Sequence, residues 1–251
     1  IRGGMLDGVD CAVMIHPFSY DLVSHVWVGR RTLTATFTGV PAHASMQPYM
    51  GRNALDAATL AYQACGLLRQ QMPPSDRLHA VLSDGGARAS IIPETATLQM
   101  YVRSLYTETL MDLSQRVEDI LKGAALMTGT TVDAQWDEHP MSLPVRNNAT
   151  LARRWGATQA SRGRDVLPAG TLPDSQAAST DFGNVSHLVP GIHPLVKIAP
   201  EGTALHTTDF AAAAISDQAF EGAFDAAVGL AQTIADILND PQLLADCLLY
   251  T

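Results

Sequence analysis

A regular alternation of threonine with apolar residues constrains the fold of this chain more than any other feature. Within "HVWVGRRTLTATFTG", residues 25–39, Leu33, Ala35 and Phe37 alternate with threonines. This period of two is typical of a β-strand with one buried face and one solvated face. The stretch therefore predicts an antiparallel sheet. We expect it to be an edge strand, whose unpaired backbone groups a second copy of the chain can complete in a homodimer.

The next hundred residues continue with a recognisable order of elements. Asn53 can cap a helix that runs through "ALDAATLAYQACGLLRQQM" until Pro73-Pro74 stops it. "RLHAVLSDGG" and "TATLQMYVRS" read as strands, residues 105–128 have the apolar spacing of a helix, and "TTVDAQWDE" reads as a final strand. The order β-α-β-β-α-β predicts a ferredoxin-like module, a four-stranded antiparallel sheet with two helices on one face.

The segments on either side of this module predict part of an α/β domain. "VDCAVMIH", residues 9–16, is an apolar run that predicts a buried strand ending at His-Pro. After residue 142 we expect helices over 149–161 and 217–238, with a strand near 193–199 between them. These flanks are too poor in strands to form a whole sheet. The predicted domains are therefore 1–22 with 142–251, a partial α/β domain, and 23–141, an inserted ferredoxin-like module.

Composition excludes several classes of partner. The formal charge of −9 and the lack of clustered Lys and Arg argue against nucleic acid. No apolar run approaches the roughly 18 residues of a membrane span. Cys11, Cys65 and Cys247 are odd in number and far apart, which favours a reducing compartment over a disulfide framework. We expect a cytoplasmic protein that binds neither nucleic acid nor membrane.

Two of the eight histidines occupy positions that suit a metal ligand. His16 follows an apolar run directly and precedes a proline, so it lies where the sites of α/β proteins are built. His206, in "ALHTTDF", follows the loop after another predicted strand. Two imidazoles from two strand ends suit one zinc ion. The histidines with no further cue are interpreted as surface or core residues: His25, His79, His139, His187 and His193.

Four blocks, in order along the chain, carry a family resemblance. They are "GVPAHASMQPYMGRNALDA", "DGGARASIIPETATLQMYVRS", "STDFGNVSHLVPG" and "ALHTTDF". Together they resemble the co-catalytic zinc amidohydrolases and peptidases that include aminoacylases, carboxypeptidase-like enzymes and p-aminobenzoyl-glutamate hydrolase. The subgroup of aminobenzoyl-glutamate hydrolases and related dipeptidases is the most similar.

The resemblance implies a zinc-binding α/β domain with an inserted ferredoxin-like lid that forms homodimers. His16 and His206 match metal-ligand positions. The resemblance implies two ions in an intact enzyme, either zinc or, as alternatives, manganese or cobalt. His43 matches a catalytic lid histidine that contacts the substrate, and Arg103 matches a substrate-binding lid arginine. Asp181 matches an acidic position that we interpret as structural. The alternative for His43 is a loop histidine that only caps a turn.

The implied reaction is hydrolysis of an amide bond in an N-acyl amino acid, a dipeptide or an aminobenzoyl-glutamate-like substrate. The family's His-x-Asp and Glu-Glu motifs should precede Ile1, and nothing in the 251 residues replaces them. We therefore expect a truncated chain that binds zinc weakly or not at all and is inactive alone. Ser90 also stands where the family has asparagine. The alternative function is a non-catalytic dimerisation or ligand-binding module.

Overall fold

The computed structural model describes residues 1 and 3–249, which form two compact units. The inserted unit is Val28–Pro144, and the flanking unit combines Ile1–Trp27 with Val145–Thr251. The sequence predicts these boundaries at 22/23 and 141/142. They lie further along the chain because the Trp27 indole N–H donates to the His193 carbonyl, and the Val145 N–H donates to the Trp27 carbonyl. Both contacts tie Trp27 to the flanking unit.

The inserted unit has the predicted β-α-β-β-α-β order, and its four strands form one antiparallel sheet in the order β4-β5-β3-β6. The ferredoxin-like prediction is therefore confirmed. The elements are β3 Gly29–Thr38, α1 Ala54–Leu68, β4 Arg77–Asp84, β5 Thr95–Ser104, α2 Thr107–Thr128 and β6 Thr131–Trp136.

The core of the inserted unit lies between the sheet and its two helices. The alternation in β3 sends Leu33, Ala35 and Phe37 into this core, while the threonines lie on the other face of the sheet. The buried face of α1 is made mostly of alanine, which lets the helix pack closely against the strands. Asn53 caps α1 as predicted, because its side-chain oxygen accepts a hydrogen bond of 2.9 Å from the Leu55 N–H.

The prediction that residues 30–38 form an edge strand is wrong. β3 pairs with β5 from Gly29↔Ser104 to Thr38↔Thr95, and with β6 from Leu33↔Trp136 to Thr38↔Thr131. Alternation of apolar and polar residues reports which face of a sheet is buried, but it carries no information on which strands lie beside it. The edges of the sheet are β4 and β6.

The flanking unit contains two short parallel ladders and five helices among its described residues. β1 pairs with β7, and β2 pairs with β8. α3 packs against α6, where a side chain at Gly229 would place its Cβ only 1.8 Å from the Gln159 amide nitrogen. The elements are β1 Ala12–Val13, β2 His16–Phe18, α3 Ala149–Ser161, α4 Phe182–Ser186, β7 Gly191–Ile192, β8 Leu195–Lys197, α5 Thr208–Ala213, α6 Asp217–Asn239 and α7 Pro241–Leu248.

The strands of the flanking unit differ from the prediction in detail. The apolar run 9–16 forms β1 and, after a break, the start of β2, so His16 begins a strand rather than ending one. The strand expected near 193–199 is shorter, because only β8, Leu195–Lys197, lies in that range, and β7, Gly191–Ile192, precedes it. The gap between β1 and β2 matches the gap between β7 and β8, because β1 pairs with β7 and β2 pairs with β8 in parallel. The helix over 149–161 has the predicted bounds, and the long helix ends at Asn239.

Among residues 1 and 3–249, no helix combines the length and the apolar composition that crossing a membrane requires. The three cysteines are free thiols, and burial raises the pKa of Cys65 to about 11.

Candidate functional site

His16 is oriented by the chain that follows it. Its Nδ1 lies 2.8 Å from the Pro17 carbonyl oxygen, which can only accept, so Nδ1 carries the proton. The lone pair of the neutral ring therefore belongs to Nε2, which accepts no hydrogen bond from the residues that the structure describes. Histidines that bind metals usually have this arrangement, with one ring N–H donated to a carbonyl or carboxylate and the other nitrogen facing the ion.

An aromatic cluster surrounds His16 in the flanking unit. The His16 ring centroid is 5.3 Å from that of Trp27 and 5.9 Å from that of His193. His193 in turn stacks on Trp27, with centroids 4.4 Å apart and planes 6° apart, and meets Phe182 edge to face. The rotation of His16 is therefore limited on two sides by rings that are themselves packed.

His193 is the residue of this cluster that sequence reasoning missed. The side chain is fully buried, and neither ring nitrogen has a hydrogen-bond partner among the described residues. Burial, together with the nearby charge of His16, lowers the pKa of His193 to about 4, so the ring is neutral at pH 7. The tripeptide Ile-His-Pro occurs twice, at residues 15–17 and 192–194. That repeat was the available signal, because β2, which begins at His16, pairs in parallel with β8, which begins two residues after His193.

His206 lies at an exposed and unusual backbone position. Its φ of 61° is left-handed, which costs a residue with a Cβ roughly 1–2 kcal/mol. It directly precedes Thr207, whose hydroxyl caps α5 by accepting from the Phe210 N–H at 3.2 Å. His206 therefore lies just outside α5, one residue before its cap.

The described residues do not complete a metal site. Over residues 1 and 3–249, no three His, Cys, Asp or Glu side chains converge where they could hold one ion. Catalytic zinc typically has three protein ligands. The Nε2 of His16 suits one ligand, but this part of the chain does not assemble the full set that zinc requires.

In the inserted unit, His43 lies in the loop between β3 and α1, and backbone hydrogen bonds hold this loop in place. Val40 and Arg52 exchange two hydrogen bonds of 2.9 Å where the loop leaves β3. Gly39 is required at this point, because a Cβ there would lie 1.9 Å from the Arg52 carbonyl oxygen. On the other side, the Ala44 N–H donates to the Ser90 carbonyl at 3.0 Å. The contact at Ser90 uses its main chain, which every residue type supplies.

The His43 ring is held by its own loop. Nδ1 accepts hydrogen bonds from the backbone N–H groups of Ser45, at 3.3 Å, and Met46, at 3.2 Å. A nitrogen that accepts from two N–H groups carries no proton, so the neutral ring is protonated on Nε2. The turn-capping role considered as the alternative is thus present in the geometry. It occupies only one nitrogen and leaves an exposed Nε2–H donor.

Arg103 and Asp181 lie at strand and helix ends respectively. Arg103 is on β5, with its guanidinium carbon 5.2 Å from the Tyr101 ring centroid. Asp181 immediately precedes α4, and its side chain makes no capping hydrogen bond to that helix.

Comparison with known proteins identifies relatives of this chain. Residues 28–127 match the family model described as a peptidase dimerisation domain, M20_dimer. The inserted unit belongs to the M20 peptidase dimerisation domains. The resemblance seen in the sequence is thereby confirmed, and the chain as a whole is related to M20 peptidases and amidohydrolases.

The relatives extend the match beyond the M20 dimerisation domain. A Xaa-Arg dipeptidase of Mus musculus is 35% identical over 244 residues, which are 97% of this chain and 56% of that protein. A p-aminobenzoyl-glutamate hydrolase polypeptide of Escherichia coli is 25% identical over 299 residues, covering 98% of this chain and 62% of that protein. The chain spans about half the length of the curated relatives it matches.

A solved structure shows the same fold at lower identity. It is a dinuclear metal-binding peptidase of the M20 family from Bacillus subtilis, with a TM-score of 0.58 and 18% identity, covering 92% of this chain and 60% of that one.

The hydrogen bonds around His43 predict its tautomer. We expect the neutral ring to be protonated on Nε2, because Nδ1 is occupied by two N–H donors. Nitrogen-15 chemical shifts of the neutral imidazole distinguish the two tautomers. His79, exposed on β4, serves as the comparison for an unconstrained ring. A His43 spectrum with the proton on Nδ1 contradicts the assignment.

Proposed function

We propose that this chain is part of a metal-dependent amidohydrolase of the M20 type. The substrate is an amide of an amino acid: an N-acyl amino acid, a dipeptide or an aminobenzoyl-glutamate-like compound. The names of two relatives, a Xaa-Arg dipeptidase and a p-aminobenzoyl-glutamate hydrolase, support this class of bond. The proposal concerns the full-length protein, of which the curated relatives suggest this chain is roughly half.

The observation that carries the proposal is that the two histidines are protonated on opposite ring nitrogens. His16 gives its Nδ1–H to a carbonyl and keeps a free lone pair on Nε2. His43 uses its Nδ1 lone pair on two N–H groups and keeps a free Nε2–H. One ring is prepared to bind an electrophile such as a metal ion, and the other to donate to a negatively charged oxygen. A metal-dependent hydrolase of amides can use both abilities, the first to hold the ion and the second to stabilise the developing oxyanion.

We assign His43 the role of hydrogen-bond donor to the substrate carbonyl oxygen. Attack on the amide carbon moves negative charge onto that oxygen, and a donor already oriented toward it stabilises the transition state by roughly 3–4 kcal/mol. The loop hydrogen bonds at Ser45 and Met46 hold the donor before the substrate arrives. Little reorganisation is then needed at the moment of reaction.

We assign His16 and His206 as the metal ligands that this chain contributes, with zinc as the expected ion and manganese or cobalt as alternatives. His206 supports this through its exposed, left-handed position. Arg103 is assigned to the substrate carboxylate. The three free cysteines support a cytoplasmic location for the protein.

A second candidate function is a dimerisation or ligand-binding module without catalysis. It is favoured by one observation, that no three metal-binding side chains converge in the described part of the chain. Metal content and turnover of the full-length protein separate the two functions.

We expect the 251-residue chain alone to hydrolyse neither N-acyl amino acids nor dipeptides, even with added zinc. Two imidazoles are fewer than the three protein ligands of a catalytic zinc site, and loss of general-base help alone costs about 10²–10⁴ in rate. The measurement is product release with and without a chelator. Chelator-sensitive turnover by this chain contradicts the expectation.

In the full-length protein, substitution of the two kinds of histidine should have different consequences. His206→Ala should lower bound zinc and turnover together, because a ligand holds the ion. His43→Ala should lower kcat by about 10²–10³ and leave zinc unchanged, because the donor acts on the transition state. Zinc is measured by elemental analysis of the dialysed protein. Equal loss of zinc in both variants means that His43 is misassigned.

We further propose that the chain forms a homodimer through the β4 edge of its sheet. Both outer edges are open in the described chain, but β4 exposes Val81 and Leu82, which are 55% and 42% accessible. β6 exposes polar residues instead. An apolar edge strand is a ready template for pairing with a second strand.

The double substitution Val81→Lys and Leu82→Lys should convert the dimer to a monomer, because charge on an edge strand opposes pairing. Gln135→Lys on β6 is the matched control and should leave the dimer intact. Sedimentation at tens of micromolar measures the state of each protein. A monomeric parent chain, or dissociation by the control alone, contradicts the proposal.

A further inference from the structure

The long helix α6 of the flanking unit exposes its largest apolar side chains. The residues that it buries are small over most of its length: Ala219, Gly222, Ala226, Gly229, Thr233 and Ile237. Phe220 and Leu238, near its two ends, are 76% and 79% accessible, and Phe224 and Ile234 are also exposed. A helix with a single core-facing side has the opposite arrangement, with its large apolar residues inside. α6 therefore has more apolar surface than the described chain covers.

The exposed apolar residues of α6 form one stripe along the helix, which we call the outer stripe. Its members are successively four, three, four, three and four residues apart: Phe220, Phe224, Ala227, Ala231, Ile234 and Leu238. This alternation of four and three is the spacing by which one helix packs against another over several turns. At about 100° per residue, the outer stripe is centred roughly 140° around the helix from the buried residues. It is therefore a second packing face of α6.

The remaining arc of α6 is polar. Asp225 pairs with Arg162, and Asp236 pairs with Arg154. Glu221 is exposed on the same arc, and the sequence of α6 contains neither Lys nor Arg. A helix that lies on a membrane surface has basic residues beside its apolar stripe. The acidic arc of α6 therefore favours a protein partner for the outer stripe over a lipid surface.

Phe224 is already oriented within the outer stripe. The guanidinium carbon of Arg162 lies 5.5 Å from the centroid of its ring, and Arg162 is itself held by Asp225. The Phe224 side chain nevertheless remains 57% accessible. An aromatic residue held in this way suits the centre of a packing interface, where such residues contribute most of the binding energy.

The flanking unit is also open at one edge of its strands. β1 pairs with β7 and β2 pairs with β8, and among the described residues neither β1 nor β2 has a strand on its other side. Unpaired backbone groups at such an edge can pair with a further strand. The flanking unit thus lacks cover in two places, at this strand edge and at the outer stripe.

The curated relatives have enough additional chain to supply this cover. The match to the Xaa-Arg dipeptidase of Mus musculus includes 97% of this chain but only 56% of that protein. The rest of that protein is long enough for several helices and strands. A single helix of about 18 residues, roughly 27 Å long, spans the outer stripe from Phe220 to Leu238.

We propose that the outer stripe of α6 is covered by a helix from the segment that precedes Ile1 in the full-length protein, where the family resemblance expects the His-x-Asp and Glu-Glu motifs. This rests on the proposed function in one respect, that the chain belongs to a longer protein of the M20 type. A covering helix in the same polypeptide is present in every molecule at high local concentration, whereas a second copy has to associate.

The outer stripe also defines the kind of helix that fits it. The covering helix should have apolar residues at the same alternation of four and three. Its larger side chains should lie opposite Ala227 and Ala231, because large and small residues alternate across a packed interface. Lys or Arg beside its apolar residues would complement Glu221.

Thiol labelling of the full-length protein and of the 251-residue chain tests the cover directly. Ala227→Cys puts a thiol in the middle of the outer stripe, and Glu221→Cys, on the polar arc of the same helix, is the matched control. In the 251-residue chain both positions are exposed, so both thiols should react with a maleimide at rates within about threefold of each other. In the full-length protein, Ala227→Cys should react at least about tenfold more slowly than Glu221→Cys. Peptide mass spectrometry assigns each label.

The double substitution Phe220→Ala and Leu238→Ala should destabilise only the full-length protein. Both side chains are exposed in the 251-residue chain, so its melting temperature should change by less than about 1 °C. The melting temperature of the full-length protein should fall by at least about 3 °C, because both side chains are then buried. Glu221→Ala is the control and should have little effect on either protein.

Rapid labelling of Ala227→Cys in the full-length protein overturns the proposal. Slow labelling of this variant in the 251-residue chain also overturns it, because the outer stripe is then covered by a second copy and needs no further segment. Neither measurement depends on turnover. Absence of hydrolysis by the full-length protein therefore leaves this packing standing, and an uncovered outer stripe leaves amide hydrolysis standing.

Discussion

The register of β3 between β5 and β6 is the constraint on which the inserted unit depends. Ten residues of β3 pair with β5, and six of them also pair with β6. This register places Leu33, Ala35 and Phe37 together in the core, and a shift of one residue would send all three to solvent. Burial of these three side chains therefore fixes which residues lie on the polar face of the sheet as well as on the apolar face.

Both residues of the inserted unit to which we assign a chemical role lie near the ends of this strand. Arg103 is aligned opposite Arg30, at its start, by the pairing with β5. The loop of His43 leaves from its other end, where Gly39 allows the chain to pass close to the Arg52 carbonyl. A strand held on both sides is a rigid support, and sites on rigid elements keep their geometry more accurately than sites on free loops.

The flanking unit depends on packing among aromatic rings. Its parallel ladders are short, so packing among aromatic rings replaces the long ladder of the sheet. His193 is buried between Trp27, Phe182 and His16 at the cost of two unsatisfied ring nitrogens. A buried polar group without partners costs about 1–3 kcal/mol. The flanking unit retains this cost directly beside His16.

Local patterns in the sequence determined much of this protein. The alternation in β3, the cap at Asn53 and the helix at 149–161 rest on neighbouring residues, and all three were predictable. The family resemblance also selected His16, His43 and His206 from the sequence alone. What it could not provide was the state of each ring, because the proton position on His43 depends on how its loop folds back.

Only the tertiary structure decided which strands are neighbours. Placing β3 inside the sheet rather than at its edge requires pairing between residues about 60 and 100 positions apart, as in Thr36 with Thr97 and Asp133, and no local pattern encodes it. The same pairing aligns Arg30 with Arg103, and parallel pairing brings His193 beside His16. In the sequence these are isolated residues. They are brought together because burial of the apolar residues fixes a single register, and the polar residues must follow it.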